Sequence, residues 1–358
     1  MCFKDGSSMN WTFRNVGRIF ILVLVWWLSI ASYGQDDEFK PVPILTGSTG
    51  YFARDAGGQV QNAPTVTPLI LAPIGDKWLI EAKGNYTDTF ARGANGSYQG
   101  ASTYGLNYAQ VDYIANRYVT VVAGRFLMPF GIYGERLAPN WIRVLQTMPL
   151  TVPITSGTGL GGMVRGGFSL GSSKVELNYA GYYSAGNTNH ITATDRCTGG
   201  RLGFFLPGPR LEIGGSIQEV LRTHTHSAGM HFEWQPNATP LTVRSEMVRS
   251  SGLNGSGYWI ESAYRLSRIP QLRRLEAVGR AQQFFADSKL TPALVQSLGP
   301  LGLNTNEGDF GLNYYFNSDV RASASYGRQF AHEKDANLWV MGVTYRFVLP
   351  LGPKGGAF

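Results

Sequence analysis

The segment NLWVMGVTYRF, residues 337–347, alternates between two kinds of side chain along its whole length. One face carries large apolar and aromatic residues, namely Trp339, Met341, Val343, Tyr345 and Phe347. The opposite face is mixed and includes Thr344 and Arg346. Because successive residues of a β-strand point to opposite faces, this alternation predicts a strand with one apolar face.

The same two-residue period recurs along the chain, and few stretches predict helices. It is clear in segments 78–86, 164–170, 175–183, 230–234 and 310–316. Hairpins of this kind between about residues 46 and 347 predict sixteen strands. Fourteen or eighteen strands also fit, because strand boundaries read from sequence carry errors of about 2–4 residues. The first hairpin, residues 46–74, shows the pattern least clearly.

The connections between these segments alternate between short and long. Short turns are expected at 73–76, 115–117, 171–173, 207–209, 235–240, 269–272 and 316–319. Longer loops are expected at 92–100, 128–161, 185–198, 222–227, 250–255, 287–307 and 331–335. A soluble sandwich would also alternate in polarity, but short turns at one end and long loops at the other are typical of membrane barrels. The sequence therefore predicts an all-β fold, a transmembrane antiparallel up-and-down β-barrel with short periplasmic turns and long extracellular loops.

The N-terminus has the pattern of a secretory signal peptide. Basic residues precede the apolar run IFILVLVWWLSIA at 19–31, and the small residues Ser32 and Gly34 then form a cleavage pattern. A single membrane anchor is the alternative, but a spanning helix needs about 20 apolar residues. We expect a signal peptide at 1–34, a short periplasmic leader at 35–43 and the barrel at 44–358.

The composition argues against several other protein classes. Charged residues make up 15% of the 358-residue chain, whereas about 25% is usual in soluble proteins. The net charge is +7, yet no lysine tract or basic helix indicates a nucleic-acid partner. Cys197 is the only cysteine beyond the signal segment, which excludes an intrachain disulfide framework in the mature chain.

Motifs of enzymes and metal sites are not found. No nucleophile elbow, zinc-protease motif or phosphate-binding loop occurs in the sequence. The pair His224 and His226 suits a polar loop better than a metal site. We therefore expect no enzymatic activity, no cofactor and no metal.

One loop differs from the others in length and polarity. The stretch TVVAGRFLMPFGIYGER, residues 120–136, begins as a strand and continues into a half-apolar loop at 128–161, while connections usually have about 4–6 residues. We expect this loop to enter the barrel lumen and narrow it. It carries Glu135, Arg136 and Arg143, and both arginines are expected to face the solute pathway. A short helix is predicted at 138–146, with Pro139 in its first turn.

This stretch resembles the strand-to-loop signature of the phosphate-selective porin O/P group of bacterial outer-membrane porins. The family pattern V-x-x-G-(R/Q)-F-x-x-P-F-G is matched by Val121 or Val122, Gly124, Arg125, Phe126, Pro129, Phe130 and Gly131. The resemblance implies a sixteen-stranded barrel, often trimeric, with loops folded into the lumen, a preference for anions and Arg125 as a pore-lining residue. The lysine cluster linked to phosphate preference is not evident, so phosphate specificity is not expected.

The end of the chain also bears on the resemblance. Porins of this group usually end on an aromatic residue that resembles the recognition signal of the barrel-assembly machinery. Here the last predicted strand closes with YRF at Phe347, and the chain continues to Phe358. The sequence leaves open which of the two aromatic residues is recognised.

Alternation also predicts which charged side chains face the lumen. The basic ones are Lys83, Arg165, Lys174, Arg201, Arg244, Arg265, Arg280, Arg321 and Arg346. The acidic ones are Glu81, Asp112, Glu176, Glu212, Glu233, Glu246, Glu261, Glu276 and Asp309. The two sets nearly cancel, and many members are expected to pair across strands. Since selectivity is set where charges meet a constriction, the long loop matters more than the average wall.

These observations favour a passive outer-membrane porin for small hydrophilic solutes, with a modest preference for anions. Its expected partners are outer-membrane lipid, the barrel-assembly machinery and the other copies of a homotrimer. A barrel with a plugged lumen and a structural or adhesive role is one alternative. A barrel hydrolase is another, although the histidines offer no convincing catalytic set.

Overall fold

A computed structural model describes residues 42–56, 58–93, 96–137, 139–155, 157–171, 175–187, 195–251, 255–286, 304–331 and 335–351. The predicted signal peptide, most of the leader, Lys174 and Phe358 lie outside these residues. Sixteen strands follow one another along the chain. They are β1 Ile44–Ala56, β2 Gln59–Ile74, β3 Trp78–Arg92, β4 Tyr98–Asn116, β5 Val119–Leu127, β6 Thr158–Leu170, β7 Val175–Asn187, β8 Cys197–Leu206, β9 Leu211–Val220, β10 Thr225–Trp234, β11 Leu241–Ser250, β12 Gly255–Arg265, β13 Leu275–Ala286, β14 Thr305–Tyr315, β15 Val320–Ala331 and β16 Ala336–Pro350.

The strands form a closed barrel in which each strand pairs antiparallel with its neighbours in sequence. The ring closes between β1 and β16, where Ile44 pairs with Pro350 and Ala56 with Leu338. Closure gives every strand two neighbours, so most backbone groups of the wall pair with one another; residues 98–108 of β4 extend beyond β5 and pair only with β3. The sixteen-stranded antiparallel barrel predicted from the sequence is confirmed.

The two ends of the barrel differ as predicted. Short connections join β2 to β3 and β4 to β5 at the end that also holds the first residue of β1 and the last residue of β16. We call this the short-turn end. The opposite, long-loop end carries the connection from β5 to β6, which spans residues 128–157. One turn at the short-turn end, between β12 and β13, is longer than expected and contains a 3-10 turn at Pro270–Leu272.

The outer and inner faces of the wall have opposite character. In β16, the outward residues Trp339, Met341, Val343 and Tyr345 are between 47% and 58% exposed, whereas the inward Thr344 is fully buried. Other strands repeat the pattern, with exposed Ile217, Met230 and Phe310 on the outer face. The outer surface is therefore an apolar band, as a membrane barrel requires. Among the described helices, none is both long enough and apolar enough to cross a membrane.

The loop between β5 and β6 differs from the sequence expectation in two details. β6 begins at Thr158, so residues 158–161 belong to the strand. The helix expected at 138–146 is wrong, because residues 139–146 form turns. Instead, the loop contains a π-helical turn at Tyr133–Leu137 and a short helix α1 at Val152–Thr155. The amide N–H groups of Ile142 and Arg143 both reach the Pro139 carbonyl, and the coil does not continue beyond this single turn.

Candidate pore constriction

Residues 128–157, here called the inner loop, lie inside the barrel and pack against its wall. Phe130, Leu150 and Ile154 of the loop form a buried cluster with Val248 of β11 and Phe284 of β13. Val248 and Phe284 point from their strands into the lumen, and the three loop side chains pack against them. The apolar side chains of the loop are therefore covered by the wall and not by water, which explains how so apolar a loop is stable.

Three further clusters continue this packing along the wall. Met128 joins a cluster with the inward side chains Val122, Phe126, Met163, Ala180, Tyr182 and Cys197. Ile132, Tyr133 and Leu137 pack around Trp259 of β12. Leu145 packs on Ala263 and Val278 of β12 and β13. The inner loop thus covers much of the lumen wall between β5 and β14.

The sharp turn of the loop at Gly131 is held by a buried carboxylate. Gly131 has a φ of +64°, and a side chain there would overlap the carboxylate of Glu246 on β11. The amide N–H groups of Ile132 and Tyr133 donate to Glu246 Oε2 at 2.8 and 3.3 Å. The N–H of Gly131 donates to Ser216 Oγ at 3.0 Å. Only glycine suits both this backbone conformation and this close approach.

Two of the three charged loop residues predicted to line the pathway are tied to the wall. Glu135 forms an ion pair with Arg201 of β8, and Arg201 also donates to the Gly131 carbonyl at 3.2 Å. Arg136 forms an ion pair with Glu212 of β9 at 2.8 Å. Burial disfavours the charged form of Arg136, but the hydrogen bond and charge of Glu212 outweigh this and raise the pKa of Arg136. Both pairs therefore anchor the loop, and Glu212 neutralises the charge of Arg136.

Arg280 holds the middle of the inner loop from beneath. Its guanidinium is buried between Asp309 at 3.2 Å and Glu261 at 3.6 Å, and it donates to the Thr147 carbonyl at 3.0 Å. Gln282, two residues along the same strand, accepts the Leu150 N–H at 2.8 Å. Arg280 was expected to line the pore, but the loop covers it.

Two more arginines hold the loop near Trp141. Arg321 is buried, donates to the Asn140 carbonyl at 2.8 Å and lies 5.4 Å from the Trp141 ring centre. Arg346 lies 5.4 Å from the same ring and forms an ion pair with Asp319 at 3.1 Å. Arg346 faces the lumen, as its pairing with the buried Ser48 shows. The indole of Trp141 is thus bracketed by two cations.

Arg143 is the loop charge that the wall does not neutralise. Its guanidinium donates to the Asn140 side-chain oxygen. It also repels two cations of the wall, Arg54 on β1 and Lys83 on β3. Among the residues that the structure describes, no acidic side chain forms an ion pair with any of these three cations. We define Arg54, Lys83 and Arg143 as the cationic triad.

The triad lies where the loop faces the opposite wall. Arg54 shares its strand face with the buried Phe52, and Lys83 pairs with the buried Tyr108, so both point inward. The described packing contacts of the loop run from β5 to β15, whereas Arg54 and Lys83 belong to β1 and β3, outside that stretch of the wall.

The remaining predicted wall cations are already paired. Arg165 forms an ion pair with Asp112 at 2.5 Å, and Arg244 forms one with Glu233 at 3.1 Å. Arg265 donates to the Arg273 carbonyl at 3.0 Å and lies over the ring of Tyr315 at 3.9 Å. These three side chains face the lumen, and each has a partner that is not a member of the triad.

Strand alternation places Arg125 on the outward face of β5, whereas the resemblance implies a pore-lining side chain; Arg125 also borders a cavity with Gly134 and Gly157 of the inner loop. Val122 and Phe126 of β5 are fully buried against the inner loop, so the intervening odd-numbered residues face outward. Arg125 pairs with Leu160 of β6, which is 58% exposed on the outer face. The two-residue period itself gives this result, whereas the motif alone does not specify a face.

Sequence reasoning missed Arg54 as a pore residue. Arg54 lies in the first hairpin, whose alternation is the least regular in the chain. Strand alternation could have identified Arg54. It lies two residues after Phe52 and therefore on the same, buried face of β1, whereas Tyr51 lies on the outer face. The anchoring role of Glu246 had no local signal, because its partners lie 114 and 113 residues away.

Several solved structures of bacterial outer-membrane proteins resemble this barrel. OmpF of Salmonella typhi, solved with daunomycin, is 14% identical with a TM-score of 0.57, over 85% of this chain and 97% of that one. OprB of Pseudomonas putida is 6% identical with a TM-score of 0.55, over 86% and 92%. The outer-membrane channel DcaP of Acinetobacter baumannii is 11% identical with a TM-score of 0.54, over 86% and 99%.

These comparisons define the class of fold. No family model matches the sequence, and no curated protein matches it. The chain has the closed sixteen-stranded barrel fold of bacterial outer-membrane porins.

Proposed function

We propose that this chain is an outer-membrane porin that lets small hydrophilic solutes diffuse passively, with a modest preference for anions. The observation that carries the anion preference is the cationic triad, whose wall members point inward and whose three side chains have no acidic ion-pair partner among the described residues. Loop packing along one side of the wall supports a narrowed aqueous channel. Such a channel needs no bond-breaking chemistry, only a path and a charge pattern.

Charge reversal at Arg143 tests the anion preference. In planar bilayers under a salt gradient, the wild type is expected to show a reversal potential on the anion-selective side. Arg143→Glu changes the local charge by two units while leaving the loop anchors in place. We expect the anion-to-cation permeability ratio to fall by about three- to tenfold, as expected for a charge acting across a water-filled lumen.

Arg249→Glu is the matched control for this experiment. Arg249 is exposed on the outer face of β11, so the substitution changes the net charge equally without altering the lumen. An equal shift in the two variants, or no shift in Arg143→Glu, would contradict the role of the triad. The absence of any conductance in the wild type would instead favour the barrel with a plugged lumen and a structural or adhesive role.

We also propose export, membrane insertion and trimeric assembly of this chain. The N-terminal segment is exported as a signal peptide cleaved after Gly34, the barrel inserts through the assembly machinery, and three copies assemble. The apolar outer band supports membrane insertion, and the n-region, apolar core and small residues support export. Mass spectrometry of the mature N-terminus and of the native oligomer tests cleavage and assembly.

A further inference from the structure

Two large apolar side chains of the inner loop are exposed, although their apolar neighbours pack against the wall. Ile142 is 44% exposed and Met148 is 53% exposed, whereas Leu145 and Leu150 are buried in clusters with wall side chains. Most other exposed apolar side chains of this size in the described residues lie on the outer face or near the ends of the barrel. Ile142 and Met148 thus present apolar surface to water inside the barrel.

The wall holds the backbone on both sides of Met148. Arg280 donates to the Thr147 carbonyl at 3.0 Å, and the Leu150 N–H donates to Gln282 at 2.8 Å. These two contacts lie on the side of the loop that faces the wall. Because Met148 lies between them and is exposed, its side chain points away from the wall and into the lumen.

Ile142 has the same arrangement of anchors around it. Arg321 donates to the Asn140 carbonyl at 2.8 Å, and Asn313 donates to the Val144 carbonyl at 2.9 Å. The backbone two residues before and two residues after Ile142 is therefore tied to the wall. Its exposed side chain lies on the lumen side of the loop.

A cation of the triad belongs to the same turn as this apolar surface. Arg143 directly follows Ile142, and the N–H groups of both residues reach the Pro139 carbonyl. Among the residues that the structure describes, no acidic side chain forms an ion pair with Arg143. The inner loop thus combines exposed apolar side chains with a cation that lacks an acidic partner.

We propose that the inner loop favours organic carboxylates with an apolar body over equally charged polar anions, and that Ile142 and Met148 determine this specificity. The carboxylate of such a solute is attracted by Arg143, while its apolar body covers Ile142 or Met148 and removes apolar area from water. Each contact is weak, which suits a channel because a solute must leave as well as enter. This inference rests on the proposed function and specifies its solute class.

Reversal potentials with two matched anions test the solute class. Wild type, Met148→Gln, Met148→Leu and Ile142→Thr are reconstituted in planar bilayers, with sodium chloride on one side and sodium benzoate or sodium shikimate on the other. Both test anions are singly charged ring carboxylates of similar size, but shikimate carries hydroxyl groups on its ring. The wild type is expected to pass benzoate more readily than shikimate.

The variants are expected to change this preference according to their polarity. The benzoate-to-shikimate permeability ratio should fall about threefold in Met148→Gln, because a polar side chain of similar size replaces the apolar contact. Ile142→Thr lowers the ratio in the same direction, and Met148→Leu retains it. Met230→Gln is the matched control, since Met230 is 63% exposed on the outer face, and its ratio should equal that of the wild type.

Three results would overturn the proposal. The first is an equal ratio in wild type, Met148→Gln and Ile142→Thr. The second is an equal fall in Met230→Gln, and the third is a wild-type channel that passes shikimate at least as readily as benzoate.

Selectivity in sodium chloride keeps this inference separate from the proposed function. Met148→Gln and Ile142→Thr change no charge, so their anion-to-cation permeability ratio is expected to equal that of the wild type. Anion-selective conductance without a preference for benzoate removes the solute class and leaves the porin. Absence of conductance in the wild type, or cation selectivity, contradicts the proposed function and this inference with it.

Discussion

At the scale of single residues, Gly131 has the strictest requirement in the inner loop. Its positive φ and the adjacent carboxylate of Glu246 impose two separate demands. The first is a backbone conformation that other residues adopt at a cost of about 1–3 kcal/mol. The second is space, since any side chain meets a buried carboxylate that two backbone N–H groups already hold.

Replacement of Gly131 separates these two costs. Gly131→Ala is expected to destabilise the folded barrel by more than the conformational cost alone, because Glu246 must also move. Gly75→Ala is the matched control, since Gly75 has a φ of +58° but open space around its Cα. Urea unfolding of the two variants in detergent, followed by tryptophan fluorescence, gives the comparison. Equal losses of unfolding free energy would show that the contact with Glu246 contributes nothing.

Single residues show which side-chain positions could be predicted from the sequence and which could not. Alternation correctly assigns the faces of β16, because each inward position there is followed by a large outward side chain. The same rule assigns Arg125 to the outer face, and only the resemblance suggested the lumen. The freedom of Arg143 was not predictable, since it depends on which acids are engaged by Arg136 and Arg201 elsewhere in the wall.

At the scale of elements, the inner loop is an inserted layer anchored by charge as well as by apolar packing. The sequence predicted its length and its position inside a barrel. It did not predict its local shape, because the short helix expected at 138–146 is replaced by turns whose carbonyls are taken by wall side chains. The Asn140 carbonyl accepts from Arg321, and the Val144 carbonyl accepts from Asn313 at 2.9 Å.

Removal of Arg280 is expected to weaken this layer strongly. Arg280→Ala leaves Asp309 and Glu261 buried without their cation, which typically costs about 3–5 kcal/mol. Arg244→Ala breaks a less buried pair with Glu233 and is expected to cost about 1 kcal/mol. Unfolding free energies from urea titrations check both values. A smaller loss for Arg280→Ala than for Arg244→Ala would contradict the assigned role of Arg280 under the loop.

At the scale of the whole molecule, the charges of the lumen are unevenly placed. Most described wall cations have an acidic or carbonyl partner, while the three members of the cationic triad have no acidic ion-pair partner among the described residues. The fold class, strand number and alternation of loop lengths were all predictable from sequence, because they repeat many times. The net charge that remains in the lumen was not predictable from sequence. The lumen-facing acidic and basic residues are nearly equal in number, so the net charge depends on which individual residues pair.

Ionic strength provides a test at this scale. The Debye length falls from about 10 Å at 0.1 M salt to about 3 Å at 1 M, so the triad's influence on passing ions is expected to be screened. The anion-to-cation permeability ratio should therefore approach unity in concentrated salt at a constant gradient ratio. Arg143→Gln is expected to show a weaker salt dependence than the wild type. A ratio that stays constant with salt would indicate selection by size.

The position of the inner loop in the chain also constrains the order of biogenesis. The loop is synthesised before every strand that anchors its charged and polar groups, and its contact between Asn140 and Arg321 spans 181 residues. Until β11, β12 and β13 are in place, Phe130 and Ile132 lack the wall side chains on which they pack. We therefore expect the apolar part of the loop to need shielding during passage and to dock only after these strands have formed.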